Sequence, residues 1–127
     1  MIAADTSALM AVVRGEPQAD ACISVLEAGS VLISAGTVAE ALIVSGRANV
    51  GREMLNLIDR FDFEIVPVTD ATARRIGRIY ARWGRGAETA GLNFGDCFAY
   101  DVAKENNCPL LYVGRDFAKT DVKSVLR

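Results

Sequence analysis

Short apolar runs recur along the chain and predict buried β-strands. They lie at residues 2–4, 31–34, 64–68 and 109–114, and the tail at 121–127 is a candidate for one further short strand. The four runs are too short for helices, and polar and apolar residues alternate little within them. Strands of this kind are typical of parallel sheets that are covered on both faces.

The segments between these runs carry apolar residues three and four positions apart, which predicts amphipathic helices. Helices are predicted over residues 5–13, 15–29, 35–46, 50–61 and 69–83, and a further helix opens at Asp96. Pro17 is tolerated in the first turn of the second of these helices, and Gly29 ends it. A glycine-rich loop over residues 84–91 precedes the helix at Asp96.

This alternation of strands and helices predicts an α/β fold with a central parallel sheet of four to five strands and helices on both faces. The chain has 127 residues, of which 51% are hydrophobic, enough to form one core without disulfides or a structural metal. We therefore expect a single domain over residues 1–127. Its start lacks the features of a signal peptide, and no apolar stretch is long enough to span a membrane, so we expect a cytoplasmic protein.

The absence of histidine narrows the chemistry more than any other feature of the composition. It excludes Ser-His-Asp triads, H-E-x-x-H zinc sites and cleavage by a histidine general base. The cysteines, Cys22, Cys97 and Cys108, form no C-x-x-C pair and fit reduced, buried thiols. A net charge of −2 provides no overall attraction for nucleic acids, so such a partner would require a local basic patch.

Four acidic residues are placed where predicted strands and helices meet. Asp5 closes the first strand, and Glu40 lies in the first turn of the helix that follows the second strand. Asp96 opens the helix before the fourth strand, and Asp116 follows that strand. Since the carboxyl ends of parallel strands share one sheet edge and neighbouring strands lie about 4.8 Å apart, we expect these carboxylates to converge.

Each acid also has a purely structural interpretation. The stretch 37–40 fits a capping box, in which Thr37 caps the helix and the Glu40 side chain accepts from the backbone N–H of Thr37. The stretch 93–96 fits a looser version. Asp5 fits an N-cap, and Asp116 fits a turn. The joint pattern favours a shared role, because Asp5 and Glu40 lie beside apolar runs where Ser or Thr would cap at a lower desolvation cost.

Carboxylates at close range repel one another unless a cation neutralises them. A set of oxygen ligands without histidine favours Mg²⁺ or Mn²⁺ over zinc. Such an ion activates water and stabilises charge on a phosphoryl group, which removes the need for a histidine base. Thr6 and Ser7 are candidates for accessory hydroxyl contacts at this site, with helix capping as the alternative role.

Three stretches of the chain together match a known family. They are "IAADTSALMAVVRGEP" at the start, "TVAEALIV" around Glu40, and "GLNFGDCFAYDVAKENNCPLLYVGRDFAKTDV" near the end. In sequence and spacing they resemble PIN-domain ribonucleases, specifically VapC-type toxins of toxin–antitoxin pairs, and the resemblance covers essentially the whole chain. It implies a three-layer α/β/α fold, Mg²⁺- or Mn²⁺-dependent cleavage of RNA that leaves a 5′-phosphate, an inhibitory antitoxin protein and a homodimer.

The resemblance also assigns the catalytic, metal-binding acids, which are Asp5, Glu40, Asp96 and Asp116, the first and third being the firmest direct ligands. Many relatives carry a second acidic or amide residue before Asp116, where this chain has Arg115, so Asp121 is a weaker candidate for the fourth ligand. Asn93 is expected to cap the helix of Asp96, and Gly95 to leave room for a close approach.

A row of arginines on the predicted helix over 69–83 and just beyond it is a candidate contact surface for RNA. Its members are Arg74, Arg78, Arg82 and Arg85. No acid within the row balances them, so the like charges favour an anionic partner, with a solvated outer face as the alternative. Trp83 faces the other way and is expected in the core rather than under a nucleobase.

Two functions from other classes remain open at this point. A haloacid-dehalogenase-like phosphatase would use Asp5 as a covalent nucleophile, but Ser7 replaces the second acid of its D-x-D signature. A non-catalytic, receiver-like Mg²⁺-binding module would require a lysine near the acids, and the nearest candidate is Lys119. The glycine-rich loop matches neither the dinucleotide-binding motif nor the P-loop.

Overall fold

The computed structural model describes residues 1–86 and 90–126 of the chain. Within them, four parallel strands form one sheet: β1 (Ile2–Ala4), β2 (Val31–Ser34), β3 (Glu64–Val66) and β4 (Leu110–Leu111). The strand order is β3-β2-β1-β4. In β1, Ala3 is paired with Leu32 on one side and with Leu110 on the other. The predicted parallel sheet is therefore confirmed, with four strands in the described residues.

Helices cover the two faces of this sheet. They are α1 (Thr6–Val13), α2 (Ala19–Glu27), α3 (Ala35–Arg47), α4 (Gly51–Phe61), α5 (Asp70–Trp83) and α6 (Phe94–Glu105). Successive residues of a strand point to opposite faces, so Leu32 packs in the core beneath α5 and α6, whereas Ile33 packs in the core beneath α1, α2 and α4. The result is a three-layer α/β/α fold, as predicted. None of the helices in residues 1–86 and 90–126 is long and apolar enough to cross a membrane.

Some predicted boundaries are wrong. The helix α2 begins at Ala19 rather than in the stretch before it, so Pro17 lies in a turn outside the helix. Strand β3 ends at Val66, because Pro67 has no backbone N–H to donate to a neighbouring strand. The start of α5 is as predicted, since Thr69 caps it.

The C-terminal tail is paired with the sheet, but within the described residues it forms no strand. Ser124 makes an isolated parallel bridge with Leu110, whose N–H donates to the carbonyl of Lys123 at 2.8 Å. Two sequence predictions fall partly beyond the described residues, since the glycine-rich loop includes residues 87–89 and the tail includes Arg127.

The strand order reverses between β1 and β4. From β1 the chain moves outward to β2 and β3, and it then returns to β4 on the opposite side of β1. In open α/β sheets the carboxyl ends of the strands at such a reversal form the crevice where ligands bind. Asp5 leaves β1 at this place, and its backbone N–H donates to the carbonyl of Leu111 at 3.0 Å.

Candidate active site

Asp5 stands at the carboxyl end of β1 and caps α1. Its Oδ2 accepts hydrogen bonds from the backbone N–H of Ser7, at 3.0 Å, and from the Ser7 hydroxyl, at 2.6 Å. Its Oδ1 is buried and has no hydrogen-bond partner among the described residues, and the residue is only 3% exposed. Burying an unpaired carboxylate oxygen costs free energy. A cation or a proton donor at Oδ1 would therefore be stabilised.

Ser7 joins Asp5 to the segment that follows β4. Its hydroxyl donates to Asp5 and accepts a hydrogen bond from the backbone N–H of Val113, at 3.0 Å. One side chain thus spans two strand ends that are far apart in the sequence. Because Ser7 occupies one oxygen of Asp5, the carboxylate is held in one orientation and its other oxygen stays free.

Glu40 projects from α3 towards both α1 and α6. The hydroxyl of Thr6 donates to its Oε1 at 2.5 Å. On its other side the carboxylate lies against the Cα of Gly95, in such close contact that a Cβ on Gly95 would overlap the Glu40 side chain. The prediction that Gly95 leaves room for a close approach is confirmed, and Glu40 is the group that takes the room.

The capping-box interpretation of Glu40 is wrong. Helix α3 begins three residues earlier than that motif requires, so Glu40 lies in its second turn rather than its first, and Ser34 caps the helix by accepting from the backbone N–H of Gly36 at 3.1 Å. The hydroxyl of Thr37 is buried without a hydrogen-bond partner in the described part of the chain, so it does not serve as a cap. Glu40 is therefore not needed to start its helix.

Asp96 lies in the first turn of α6, in a complete capping box with Asn93. The Asn93 side-chain oxygen accepts from the backbone N–H of Asp96 at 2.8 Å, and Oδ2 of Asp96 accepts from the backbone N–H of Asn93 at 3.0 Å. The predicted cap by Asn93 is confirmed. The box does not free the whole Asp96 carboxylate, however, because one of its two oxygens also serves the cap.

The pKa values of these carboxyls show that the acids act on one another. Burial raises the pKa of Asp5 from 3.8 to about 7, against the opposing effect of the Ser7 hydrogen bonds, and the charges of Asp96 and Glu40 raise it further. Burial likewise raises the pKa of Asp96 to about 6; its hydrogen bond from Asn93 opposes this, and the charges of Asp116 and Glu40 add to it. The carboxylates therefore share one electrostatic environment, which a cation would stabilise.

The two candidates for a fourth acid lie in different surroundings. Asp116 is exposed in the loop after β4, and its charge acts on Asp96. Asp121 instead accepts a hydrogen bond from the Tyr100 hydroxyl at 2.5 Å and forms an ion pair with Lys104 at 3.3 Å. These contacts give Asp121 a structural role one to two turns further along α6 than Asp96, whereas the charge of Asp116 acts on Asp96, so Asp116 is the better candidate for the fourth member of the site.

The carboxylates suit a hard divalent cation by their chemistry, since they offer only oxygen ligands and include the unpaired Oδ1 of Asp5. As the side chains stand, no three of the acidic or cysteine residues within 1–86 and 90–126 are grouped closely enough to hold one ion. Ligand distances of about 2.0–2.6 Å around Mg²⁺ or Ca²⁺ would require at least one carboxylate to rotate. The carboxylates therefore fit a divalent cation in the kind of atoms they offer and in the burial of Asp5. Rotation of at least one side chain would bring their oxygens to ligand distance.

The predicted row of arginines is not one uniform surface. Arg74 forms an ion pair with Asp70 at 2.9 Å, so the expectation that no acid balances the row is wrong. Arg82 lies over the ring of Trp83, with 4.5 Å between its Cζ and the ring centroid, and Trp83 itself is buried, as predicted. Arg85 is close enough to Asp96 that its charge lowers the pKa of that carboxyl.

Arg75 has a structural role that the sequence pattern does not reveal. Its guanidinium donates to both carboxylate oxygens of buried Asp101, with Nε–Oδ1 at 2.6 Å and Nη2–Oδ2 at 3.1 Å. This two-pronged ion pair ties α5 to α6, the helix that carries Asp96. It adds to the apolar packing between the two helices, and only the tertiary structure brings Arg75 and Asp101 together.

Comparison of the sequence with known proteins and comparison of the structure with solved structures both find VapC proteins. The PIN-domain family matches residues 2–123. The ribonuclease VapC30 of Mycobacterium tuberculosis is 38% identical over 125 residues, which cover 95% of each chain. The structure of VapC20 from the same species, described as a toxin that cleaves the sarcin-ricin loop, superposes with a TM-score of 0.79 at 14% identity over 98% of both chains. A toxin–antitoxin complex from Klebsiella pneumoniae gives 0.69 at 18% identity over 95% of this chain and 93% of that one.

Proposed function

The chain belongs to the PIN-domain family, among the VapC-type ribonucleases, and from this premise we propose that it is an Mg²⁺- or Mn²⁺-dependent endoribonuclease that acts as the toxin of a toxin–antitoxin pair. Its relative VapC30 is named as a ribonuclease, and 38% identity over nearly the full length supports a shared reaction. The same comparison disfavours the two alternatives, a phosphatase that uses Asp5 as nucleophile and a receiver-like binding module.

The observation that carries the proposal is the buried Oδ1 of Asp5, which has no hydrogen-bond partner among the described residues and lies near the charges of Glu40 and Asp96. Helix capping alone does not explain why the second carboxylate oxygen is buried without a donor among the described residues. A cation ligated there would satisfy this oxygen and offset the mutual repulsion of the acids. When bound, a divalent cation supplies a nucleophilic water at neutral pH and offsets negative charge on a phosphoryl oxygen.

We assign different roles to the four acids. Asp5 and Asp96 are proposed as direct ligands, since each keeps one oxygen in its cap and offers the other. Glu40 is proposed to orient the attacking water or accept its proton, because Thr6 and the backbone of Gly95 hold its carboxylate next to Asp96. Asp116 is proposed to complete the site from its exposed loop. Ser7 and Asn93 hold Asp5 and Asp96 in position and do not touch the substrate.

RNA must bring its phosphates to an acidic site, so some positive charge is required nearby. Arg85 is the best candidate, because it lies close to Asp96 and follows the helix that carries the other arginines. Arg74 contributes less, since Asp70 already neutralises it. Arg78 lines a cavity of about 260 Å³ together with two cations, Arg75 and Lys104, and two acids, Asp101 and Glu105, so it is a weaker candidate for a phosphate contact.

We also propose an antitoxin protein as the partner of this chain and a homodimer as its assembly. The antitoxin follows from the similarity to a toxin in the Klebsiella pneumoniae complex. Exposed apolar side chains on α3, such as Leu42 and Val44, offer area that a protein partner would cover. Co-expression with the protein encoded beside this chain and sedimentation of the purified chain test the two proposals separately.

The central experiment compares RNA cleavage by the wild type, Asp96→Asn and Asp59→Asn. Total RNA is incubated with each protein in Mg²⁺, in Mn²⁺ and in a chelator, and the new ends are tested for a 5′-phosphate. Asn at position 96 keeps an oxygen that accepts from the Asn93 N–H, so it preserves the cap and removes the charge. Asp59 is an exposed acid on α4, away from the site, and controls for the loss of one charge.

We expect cation-dependent cleavage by the wild type and Asp59→Asn, and a loss of about a hundredfold or more in Asp96→Asn. Equal cleavage by Asp96→Asn would refute the assigned site. Cleavage in the chelator would refute the cation. Hydrolysis of a phosphomonoester through an aspartyl-phosphate, without cleavage of RNA, would support the phosphatase alternative instead.

A further inference from the structure

An apolar pocket of about 370 Å³ opens directly beside Glu40, between α3 and α6. Besides Glu40 it is lined by Gly36, Ala39, Ile43, Phe94, Gly95 and Phe98. Because Glu40 forms part of its wall, the pocket is continuous with the acidic site. Gly95 contributes to both, since one side of it carries the Glu40 carboxylate and its neighbours in sequence are Phe94 and Asp96.

Two phenylalanines give this pocket a rigid aromatic wall. Phe98 lies flat on Gly36, so closely that a Cβ on this glycine would meet the ring at 2.5 Å. Phe94 stands edge-on to Phe98, with 5.0 Å between the ring centroids and 88° between the ring planes. Phe94 nevertheless remains 67% exposed. The wall is fixed from behind by packing, and much of the Phe94 ring has no contact.

The position of the pocket limits what it can bind during RNA cleavage. When the scissile phosphodiester of an RNA lies at the carboxylates, the bases on either side of this bond lie close to Glu40. Apolar walls offer nothing to a phosphate, but they suit the flat face of a base. Proteins that recognise single-stranded RNA commonly stack unpaired bases on aromatic side chains in this way. The uncovered ring of Phe94, next to an acid of the site, matches this arrangement.

We propose that the pocket holds one unstacked base next to the scissile phosphodiester, against the ring of Phe94, so that Phe94 helps to determine which RNA is cut. The proposal rests on the endoribonuclease function and adds a subsite to it. A single-stranded or looped RNA is the expected substrate, because a base within a duplex would first have to leave its stack.

The test combines a protein variant with a substrate variant. A cut site is first mapped on total RNA, and short oligonucleotides that span it are made with one abasic ribose at each position in turn. Cleavage under single-turnover conditions is measured with the wild type, Phe94→Ala, Phe94→Trp and Leu55→Ala. Leu55 is an exposed apolar residue on α4, outside the pocket, and controls for the loss of apolar surface.

We expect one abasic position beside the cut to slow the wild type by about 5- to 150-fold, which corresponds to about 1–3 kcal/mol for one stacked base. Phe94→Ala should be slowed to a similar extent on the intact RNA and lose its sensitivity at that position, while Phe94→Trp restores both. Leu55→Ala should behave as the wild type. If the effects of Phe94→Ala and of every abasic position simply multiply, the pocket does not hold a base.

The two proposals fail in different ways. If the wild type cuts no RNA with any divalent cation, the endoribonuclease function fails, and the base subsite fails with it. If the wild type cuts RNA but the variants show no coupling, only the base subsite is overturned. Fluorescence anisotropy of the same oligonucleotides in a chelator adds a measurement without cleavage, in which Phe94→Ala should weaken binding of the intact RNA but not of the abasic RNA. A loss of dimerisation or of antitoxin binding alone would assign the pocket to a protein partner instead.

Discussion

The carboxylate of Glu40 lies directly on the Cα of Gly95, so that an acid of α3 and the first turn of α6 meet where no side chain fits between them. The Thr6 hydroxyl holds the same carboxylate from α1. Three helices therefore meet at one acidic group. The position of Glu40 relative to Asp96 depends on the absence of a single methyl group.

Gly95→Ala is expected to reduce RNA cleavage without unfolding the protein. A Cβ at this position forces the Glu40 carboxylate to move, and displacements of about 1 Å in an active site lower rates by roughly a hundredfold. Alanine also favours the helix over glycine by about 0.5–1 kcal/mol, which offsets part of the strain. Single-turnover cleavage and thermal unfolding measure the two effects separately.

Gly77→Ala is the matched control for this substitution. Gly77 lies inside α5, and a Cβ built on it meets no atom within 4 Å. We expect this variant to gain about 0.5–1 kcal/mol of unfolding free energy and to cleave RNA at the wild-type rate. If Gly95→Ala also cleaves RNA at the wild-type rate, Glu40 does not need its present position.

Ser7→Ala tests whether the Ser7 hydroxyl positions Asp5. The variant removes a donor to Oδ2 of Asp5 and an acceptor for the N–H of Val113, so we expect a loss of about 1–3 kcal/mol of unfolding free energy. The pKa of Asp5 should rise, because the Ser7 hydrogen bonds lower it. The acidic limb of the pH–rate profile should therefore move to higher pH, a change that a simple loss of stability does not cause.

Ser45→Ala and Ser7→Thr complete that experiment. Ser45 is also buried, but among the described residues its hydroxyl donates only to the Leu42 carbonyl within its own helix, so its loss should leave the pH profile unchanged. Threonine at position 7 keeps the hydroxyl and should restore most of the activity. An unshifted profile in Ser7→Ala would show that Ser7 only packs.

In a chelator, the protein should be more stable at pH 5 than at pH 8. The pKa values of Asp5 and Asp96 are raised to about 7 and about 6, from 3.8. The folded protein therefore binds these protons more tightly than the unfolded chain, and the unfolding free energy falls as the pH rises from about 4 to 7. Since each unit of pKa difference corresponds to about 1.4 kcal/mol, the fall should amount to about 2 kcal/mol or more. Urea unfolding across this pH range measures it.

Two controls show whether the acids cause this pH dependence. Asp5→Asn has no proton to lose and should flatten the profile at high pH. Addition of Mg²⁺ to the wild type should also flatten it, because a bound cation stabilises the charged carboxylates. If the unfolding free energy of the wild type in the chelator stays constant or rises with pH, burial does not raise the pKa of Asp5.

Arg75→Met should destabilise the protein far more than Arg74→Met. The first variant leaves the buried carboxylate of Asp101 without its partner, which costs about 3 kcal/mol, whereas the exposed pair of Arg74 and Asp70 contributes less than about 0.5 kcal/mol. Chemical denaturation of both variants measures the difference. Equal losses would mean that solvent replaces Arg75 at Asp101.

The sequence predicts those features of this structure that depend on interactions between neighbouring residues. The apolar runs place all four strands, and the caps at Asp5, Thr69 and Asn93 are recognisable from neighbouring residues. The apolar spacing also places Trp83 in the core. In each case the residues that determine the outcome lie within a few positions of one another.

Contacts between distant segments are not predicted by local patterns in the sequence. Glu40 looks like the end of a capping box until Ser34 is seen to start the helix and Thr6 to hold the carboxylate. Asp121 lies near the fourth strand in sequence, yet Tyr100 and Lys104 hold it elsewhere. No sequence periodicity contains these pairings, because they depend on how segments distant in the sequence pack against each other.

The hydrogen bonds that join Asp5 and Ser7 to the end of β4 also bear on the order in which the protein is made. Strand β4 follows every other described strand and helix in the sequence, and residues 111–113 fix the site from that side. A ribosome therefore has to synthesise all of those elements before the first strand gains its second neighbour. The active site of this RNA-cleaving enzyme therefore stays incomplete during most of translation, while the growing chain is near the messenger RNA that encodes it.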